Sequence, residues 1–285
     1  MTVLRSINKL RTIFERKDWD LENPIYADKF EKYCSLFRIL TDEEQDIIMI
    51  LTENYLHCPS KNYFGILAQS FKLINTAKYE SYNDIYILPL IDPHDKNKIK
   101  SSNTFSYAIA YEYVPALFNS DNARTHLIPK PNSLISKRDK RNKGLFIFVD
   151  DFIGTGDTAS AAITNYRNFI SVNSDSVIII ALVSLETGYN RIKNLVNDLY
   201  VPIIVNKGIA DSSTFTDKSK TYSIMEKIES RLKDQQDYKI NDYKFGYRRS
   251  EALVTMIRTP DNTFPVFWWS ESASGEKWPS PFRRV

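Results

Sequence analysis

Two adjacent carboxylates end a predicted buried strand in the stretch FIFVDDFIGTGDTA, which covers residues 146–159. Asp150 and Asp151 repel each other, and acids have a low propensity for apolar strands. Their position therefore indicates a ligand. Two adjacent carboxylates can accept hydrogen bonds from the 2- and 3-hydroxyls of a ribose. If this is their purpose, removing both relieves like-charge repulsion and leaves the stability of the fold equal or higher.

A glycine-rich loop follows the acids at once. Gly154 and Gly156 lie between the strand and a helix predicted to start near Thr158. In open α/β sheets, ligands bind where the carboxyl end of a strand meets a helix N-terminus. Such a loop turns several backbone N–H groups towards one point, and the helix dipole favours an anion there. Thr155 and Thr158 add hydroxyl donors, so the loop predicts a phosphate-binding site.

Two other phosphate-binding motifs compete with this interpretation. Residues 154–159 formally match the dinucleotide fingerprint G-x-G-x-x-A. The dinucleotide fingerprint normally follows the first strand of its unit, but here at least two β-rich runs precede the motif. The ribose-binding acid expected about 20 residues later is also missing, because that position falls in the polar turn 171–175. Two carboxylates directly before the loop would also oppose a pyrophosphate, unless a metal or hydroxyl groups intervened. No G-K-[ST] follows the glycines, so a P-loop is excluded.

The elements that must position this motif are predicted from runs that are apolar throughout and alternate with helices. Such runs are buried on both faces and indicate a parallel sheet built from right-handed βαβ units. The predicted strands are DIYILPL, FSYAIAYEYV, LFIFV, SVIIIALV and VPIIV, followed near the end of the sequence by EALVTMI and FPVFWW. The predicted helices are TASAAITNYRNFI, YNRIKNLVNDLY and KSKTYSIMEKIESRLKDQQ.

Residues 1–75 are predicted to be helical, because apolar residues recur there at helical spacing. Thr41 is the expected N-cap of one helix, with Glu44 three residues on. The sequence therefore predicts a helical N-terminal region, 1–75, and an α/β domain, 76–285. The predicted fold class is α/β, a parallel sheet with an N-terminal helical addition.

Composition places the chain among ordinary globular proteins. It has 285 residues, of which 42% are hydrophobic and 26% charged, with a net charge of +3. The small net charge gives no case for a nucleic-acid binder. No run approaches the roughly 18 apolar residues of a membrane span, and the first residues lack a signal-peptide pattern. A cytoplasmic location without membrane partners is expected.

The central motif resembles a family signature. LFIFVDDFIGTGDTA is similar to the signature of type I phosphoribosyltransferases, which has four apolar residues, two acids, two apolar residues and a T-G-x-T loop. That signature binds 5-phosphoribosyl-1-pyrophosphate (PRPP) together with Mg²⁺. The resemblance implies that Asp150 and Asp151 are the catalytic residues and bind the ribose hydroxyls. It assigns the 5-phosphate to Gly154, Thr155, Gly156, Asp157 and Thr158. No residue is assigned directly to the metal.

The resemblance extends to the stretch YILPLIDPHDKNKIKSSNTFSYAIAYEY. It is similar to the strand, loop and strand that carry the pyrophosphate-binding loop in this fold. The resemblance implies that the pyrophosphate donors are Lys100, Ser101, Ser102 and Asn103. An ordinary surface hairpin loop is the alternative. The sequence also departs from purine-salvage members, in which the position of Gly154 is an aspartate that acts on the base, so salvage of 6-oxopurines is not implied.

Both ends of the chain resemble a particular branch of these proteins. FGYRRSEALVTMIRTPDNTFPVFWWSES and WPSPFRR are similar to the C-terminal part of phosphoribosyltransferase-like proteins found in bacterial conflict and anti-phage loci. Some of these are encoded beside retron reverse transcriptases. KDWDLENPIYADKFEKY resembles the N-terminal region of the same branch. The resemblance implies a defence effector whose partner is a reverse transcriptase or accessory protein with its nucleic acid.

Three functions follow from these resemblances. The first is an enzyme that transfers phosphoribosyl from PRPP to a nitrogen nucleophile, or that cleaves an N-glycosidic bond in the reverse sense. The second is a module that senses PRPP or a nucleotide without turning it over. The third is a toxin or effector held in check by a defence partner.

Several other residues are candidates for binding. The basic passage 130–144 contains six Lys or Arg and is expected to be a solvated loop, a lid or a nucleic-acid contact. Arg248 and Arg249 face either an anionic ligand or water. The residues His57, His94 and His126 share no metal-ligand spacing, and Trp268, Trp269 and Trp278 are expected in a core or a partner interface.

Overall fold

The computed structural model of the chain describes residues 3–92, 101–118, 123–139, 141–171, 173–235 and 238–284. Its helices are α1 (Val3–Arg16), α2 (Pro24–Ile39), α3 (Asp42–Glu53), α4 (Ser60–Lys72), α5 (Ser101–Ala108), α6 (Val114–Leu117), α7 (Pro131–Lys137), α8 (Asp157–Tyr166), α9 (Glu186–Ile192), α10 (Lys218–Glu229) and α11 (Ile240–Tyr243). Its strands are β1 (Leu56–His57), β2 (Asp84–Pro89), β3 (Arg124–Leu127), β4 (Gly144–Ile153), β5 (Ser176–Leu185), β6 (Asp198–Tyr200), β7 (Ile203–Val205) and β8 (Val254–Thr255). No helix within these ranges is long and apolar enough to cross a membrane.

The chain divides into two compact units. The sheet unit is Ser60–Val205, and the flanking unit combines Met1–Pro59 with Asn206–Val285. The sequence predicts a different division, at residue 75, with the C-terminal 80 or so residues assigned to the α/β domain. The structure places α4 with the sheet. It groups the C-terminal segment with α1, α2 and α3, because these parts share one hydrophobic core.

The sheet unit confirms the predicted α/β class. Its described strands form a parallel sheet in the order β3-β2-β4-β5-β6, with β7 also paired to β5. Strand β4 has a partner on each side, so that Val149 lies opposite Pro89 and Asp150 opposite Ala181. Strands β2 and β5 are buried along their whole length, as expected for a parallel sheet covered on both faces. The end of β4 is therefore held centrally in the sheet.

The two faces of β4 pack against different helices. Phe146 and Phe148 belong to one hydrophobic cluster with Ala159 and Ile163 of α8. On the other face, α5 packs against β2 and β4, and α4 packs against β5. Successive strand residues point to opposite faces, so over residues 146–151 the even-numbered residues of β4 face α8 and the odd-numbered residues face α4 and α5.

One predicted strand is wrong. FSYAIAYEYV, residues 105–114, is not a strand but continues α5 into a π-helical turn at Ile109–Tyr113 and then into α6. The buried residues Ser102, Phe105, Ile109 and Ala110 recur at helical spacing. Two of the positions on this buried face are serines, which hide the helical period when only apolar residues are counted. In addition, β3 is a strand that the sequence analysis did not predict.

The flanking unit is built around a large aromatic core. The predicted helix start at Thr41 is confirmed, since Thr41 and Glu44 form a reciprocal capping box at α3. Of the predicted C-terminal strands, EALVTMI is a strand only over Val254–Thr255, which pairs with β1, and FPVFWW forms a 3₁₀ turn at Pro265–Phe267. The C-terminal tryptophans Trp268, Trp269 and Trp278 are buried in the core, and their indole N–H groups donate to the carbonyls of Thr263, Lys233 and Val266 respectively.

Candidate functional site

The acid pair lies within the last four residues of β4, and its two members have different surroundings. Asp150 is half-buried and Asp151 is buried. By the alternation of strand residues, Asp150 lies on the α8 face and Asp151 on the face covered by α4 and α5. The backbone N–H of Asp151 donates to Oδ1 of Asp150 at 2.9 Å. The structure therefore puts Asp150 on the side where the glycine loop leads into its helix.

Asp151 is held by two hydroxyl groups. The phenol of Tyr63, in α4, donates to Oδ2 at 2.8 Å, and Ser101, in α5, donates to Oδ1 at 2.9 Å. Each carboxylate oxygen can accept a further hydrogen bond. Tyr63 and Ser101 therefore fix the orientation of the acid without using up its capacity to accept from a ligand.

The loop after β4 ends at Gly156, which is the N-cap of α8. Gly156 has φ +80°, in the left-handed region that glycine adopts without strain. The N-cap makes no side-chain hydrogen bond, and the first N–H groups of a helix lack intrahelical partners. The N–H groups of Asp157, Thr158 and Ala159 lie at this helix start, where the sequence predicts an anion site.

A second glycine, which the sequence analysis did not single out, determines the position of the loop. A Cβ atom on Gly188, in α9, would lie 2.1 Å from the carbonyl oxygen of Gly154. A Cβ on Gly156 would lie 3.1 Å from Cγ2 of Ile192, also in α9. Helix α9 and the loop are therefore in backbone contact that only glycine permits at residue 188. A glycine between the next predicted strand and the predicted helix that starts at Tyr189 was the available signal.

Side chains of the loop also form a small polar network. The hydroxyl of Thr155 donates to Oδ2 of Asp157 at 2.9 Å. Arg191, in α9, pairs with Oδ1 of Asp157 and donates to the carbonyl of Thr155 at 3.4 Å. Asp157 therefore braces the loop rather than extending towards solvent. Arg191 brings a positive charge to the loop, and the sequence analysis did not identify it.

The structure places the four predicted pyrophosphate-binding residues differently. Lys100 lies outside the described residues. Ser101, Ser102 and Asn103 form the first turn of α5 rather than a loop between two strands. Of these, Ser101 reaches Asp151, whereas Ser102 is buried and its hydroxyl has no partner among the described residues. The start of α5 is thus brought to the acid pair, but as a helix.

The basic passage is partly structural. Arg138 forms an ion pair at 2.7 Å with Asp175, and the two side chains are 2% and 0% exposed. Its guanidinium also lies over the rings of Tyr86 and Phe146. Arg141 pairs with Asp139 at 3.0 Å, and Lys140 lies outside the described residues. Arg138 is therefore a buried anchor and contributes neither to a lid nor to a nucleic-acid contact.

The histidines are dispersed. His126 bonds with Asp84 at 2.8 Å, and Arg124 and Asn142 also donate to that carboxylate. Burial favours the protonated acid, but these hydrogen bonds outweigh it and lower the pKa of Asp84. His57 lies in the flanking unit, and His94 lies outside the described residues. Within the described ranges, no group of three or more His, Cys, Asp or Glu could hold a metal ion.

The sheet carries an acid pair and a glycine loop at the end of its central strand, and the family model that matches the chain is that of phosphoribosyltransferase-like proteins. The chain belongs to the PRTase-CE family, whose family model matches residues 28–284, in both units. No curated protein matches the chain.

Two solved structures are similar to the chain. An orotate phosphoribosyltransferase from Aeropyrum pernix has a TM-score of 0.31 and 12% identity, over 59% of this chain and 76% of that one. A xanthine-guanine-hypoxanthine phosphoribosyltransferase from Helicobacter pylori has a TM-score of 0.33 and 8% identity, over 53% of this chain and 90% of that one. Similarity at this level says nothing about the substrate of this chain.

Proposed function

We propose that the chain binds PRPP, or the 5-phosphate of a nucleotide, at the end of β4. The observation that carries the proposal is the succession of Asp150, the loop and Gly156, which is the N-cap of α8 and makes no side-chain capping hydrogen bond. The 5-phosphate would accept hydrogen bonds from the N–H groups of the first turn and from the Thr158 hydroxyl. The cation of Arg191 lies beside the same loop and would add to the attraction.

The ribose would lie next to the phosphate, against the acid pair. Asp150 is on the α8 face and would accept from one ribose hydroxyl. Asp151, oriented by Tyr63 and Ser101, would accept from the other. Ser101 begins α5, so the Ser101–Asn103 turn would lie close enough to help bind a pyrophosphate.

Mg²⁺ suits the donor set of this site. The Asp150 and Asp151 carboxylates are hard oxygen ligands, and the described atoms that donate to Asp151 are neutral hydroxyls rather than cations. Magnesium commonly takes one or two protein carboxylates and completes its shell with phosphate oxygens and water. When bound, the ion would neutralise charge on the pyrophosphate. The chain's own part would be to orient the ribose and to hold the 5-phosphate still by positioned charge.

The reaction supported by the family is phosphoribosyl transfer to a nitrogen nucleophile, or the reverse cleavage of an N-glycosidic bond. The C-terminal resemblance supports a role as the effector of a bacterial anti-phage system, acting in the cytoplasm with a reverse transcriptase or accessory protein as its partner. A non-catalytic sensor of PRPP is the second candidate. It is favoured by Gly154, which has no side chain to act on a base, and by Asp157, which is engaged with Arg191.

Calorimetry with PRPP and Mg²⁺ tests the binding site. Thr158→Glu places a carboxylate at the helix start and should reduce PRPP affinity by at least about a hundredfold, because it repels the phosphate where N–H groups should bind it. Thr164→Glu makes the same change at an exposed position of α8 and should leave affinity unaltered. Equal affinities in the two variants would remove the loop from the proposal. Pyrophosphate release with candidate bases then separates the enzyme from the sensor.

A further inference from the structure

The flanking unit contains a cavity of its own. The cavity has a volume of about 360 Å³ and is bounded by the first turns of α2, by β1 and by residues 255–257 and 281–283. No residue of the sheet unit lines it. Its size lies in the lower part of the range for small-molecule sites.

The charged residues around the cavity are predominantly positive. Lys29, Lys32 and Arg283 line it together with one carboxylate, Asp28. Lys32 pairs with Asp28 at 2.6 Å, which leaves Lys29 and Arg283 without an ion pair among the described residues. The lining therefore carries about two uncompensated positive charges. His57, the remaining titratable residue of the lining, adds no negative charge.

The surroundings of Lys29 disfavour its positive charge. Burial lowers the pKa of the Lys29 ammonium, and the charges of Lys32 and Arg283 lower it further, while Asp28 offsets them only in part. Three cations thus repel one another in a partly desolvated setting. A bound anion would relieve this repulsion, because opposite charges within a few ångströms favour the protonated amine.

Besides the charged residues and the polar His57 and Thr255, the cavity is lined by apolar side chains. Ile25 and Ile257 line it and are large hydrophobic side chains that remain 56% and 61% exposed. The Lys29 ammonium lies 5.4 Å from the ring centroid of Phe282. The same ring stacks face to face on Tyr55 in the core. An occupant that combines a compact apolar body with an anionic group would cover the isoleucines and pair with the cations.

We propose that this cavity binds a small organic phosphate monoester, at a site separate from the PRPP site. A phosphate monoester carries close to two negative charges at neutral pH, which match the two uncompensated cations, Lys29 and Arg283. Its organic part would contact Ile25 and Ile257. The proposal does not depend on the function proposed for the sheet unit, because the two sites share no residue.

Calorimetry with phenyl phosphate tests this site, with inorganic phosphate and phenol as partial probes. Phenyl phosphate should bind more tightly than either, because only it has both the anion and the ring. Lys29→Met and Arg283→Gln should each weaken phenyl phosphate at least about tenfold, the effect of losing one charge-assisted hydrogen bond. Lys29→Arg keeps the charge and should retain most of the affinity, which separates charge loss from misfolding.

Two controls locate the site. Lys227→Met removes an exposed lysine from α10 of the same unit and should not change the affinity for phenyl phosphate. Thr158→Glu should weaken PRPP binding at least about a hundredfold and leave phenyl phosphate binding intact. Absence of phenyl phosphate binding, equal binding by Lys29→Met and the native chain, or loss of binding in Thr158→Glu would each overturn the proposal.

Discussion

Asp150 and Asp151 are neighbours in the chain, yet substitution should affect them differently. Replacing Asp151 with Ala removes the acceptor of the buried Tyr63 phenol, at about 1–3 kcal/mol, and also that of the half-buried Ser101 hydroxyl, at a smaller cost. We therefore expect Asp151→Ala to lower the melting temperature. The sequence alone predicts no such loss, because it shows the repulsion between the acids and not the hydroxyls that stabilise one of them.

Asp150→Ala should affect ligand binding more than stability. Asp150 is half-buried on the α8 face, so its loss should weaken PRPP binding more than it lowers the melting temperature. Calorimetry and thermal unfolding on both variants check this pair of outcomes. Asp151→Asn keeps one acceptor oxygen and should recover part of the lost stability. Equal losses of stability in both alanine variants would contradict the different roles assigned to the two acids.

Glu229 makes the stability of the flanking unit depend on pH. Its side chain is fully buried, and burial raises the pKa of the carboxyl from 4.5 to about 8, although the Phe245 N–H donates to it at 2.8 Å. The folded chain therefore binds more protons than the unfolded chain between these two values. Stability is full below the unfolded pKa and falls as pH rises through the window, by about 1.4 kcal/mol per pH unit.

Glu229→Gln removes this titration. The variant should match the native protein near pH 4.5 and become progressively more stable than it up to pH 8, as measured by denaturant unfolding at several pH values. Glu226→Gln changes an exposed acid on the same helix and should show no such widening gap. A constant difference between Glu229→Gln and the native protein across this range would show that Glu229 does not titrate there.

At the scale of elements, the contact between α9 and the glycine loop leaves no room for a side chain at residue 188. Gly188→Ala would put a methyl group into the carbonyl of Gly154, so either the helix or the loop must move. We expect a lower melting temperature together with weaker PRPP binding. Gly65→Ala is a matched control in α4, where a Cβ meets nothing within 4 Å.

The control should behave in the opposite way. Gly65 is exposed within a helix, where alanine is favoured by roughly 0.5–1 kcal/mol, so Gly65→Ala should be neutral or stabilising. Thermal unfolding and calorimetry measure both variants. If Gly188→Ala retained native affinity and stability, the close packing of α9 on the loop would not determine the site.

A second element shows how tertiary contacts can hold an unfavourable backbone. Phe245, Arg248, Arg249 and Glu251 all have φ between 54° and 61°, which non-glycine residues rarely adopt. The Glu251 carboxylate holds this segment, because it accepts from the N–H groups of residues 209 and 210 and from the hydroxyl of residue 222. Arg248 and Arg249 are exposed, and the Arg249 guanidinium lies 4.3 Å from the ring centroid of Phe245.

At the scale of the whole molecule, the two units should respond to different ligands. PRPP with Mg²⁺ should slow hydrogen exchange in peptides that cover residues 150–166 and leave α2 unchanged. Phenyl phosphate should do the reverse, protecting α2 and the segment 255–257. Exchange measured with mass spectrometry distinguishes these patterns, because it reports local opening. Protection of α2 by PRPP would contradict the separation of the two sites.

The sequence by itself determined the features that depend on neighbouring residues. The apolar run 145–149 specifies a buried strand, the two acids interrupt it, and Gly156 permits the left-handed turn into α8. The capping box at Thr41 is equally local, since its two hydrogen bonds join residues three apart. Such features are predictable because the interactions that stabilise them join residues within about one turn of each other.

Tertiary structure alone decided the rest. Tyr63 contacts Asp151 across 88 residues of the chain. Gly188 lies against Gly154 across 34 residues, and Arg191 contacts Thr155 across 36. No local sequence pattern predicts contacts between residues so far apart. The segment 105–114 is helical because its small and polar residues fit against β2 and β4, which the hydrophobic pattern does not reveal. The C-terminal segment joins the first three helices because their apolar faces remain uncovered until distant parts of the chain pack on them.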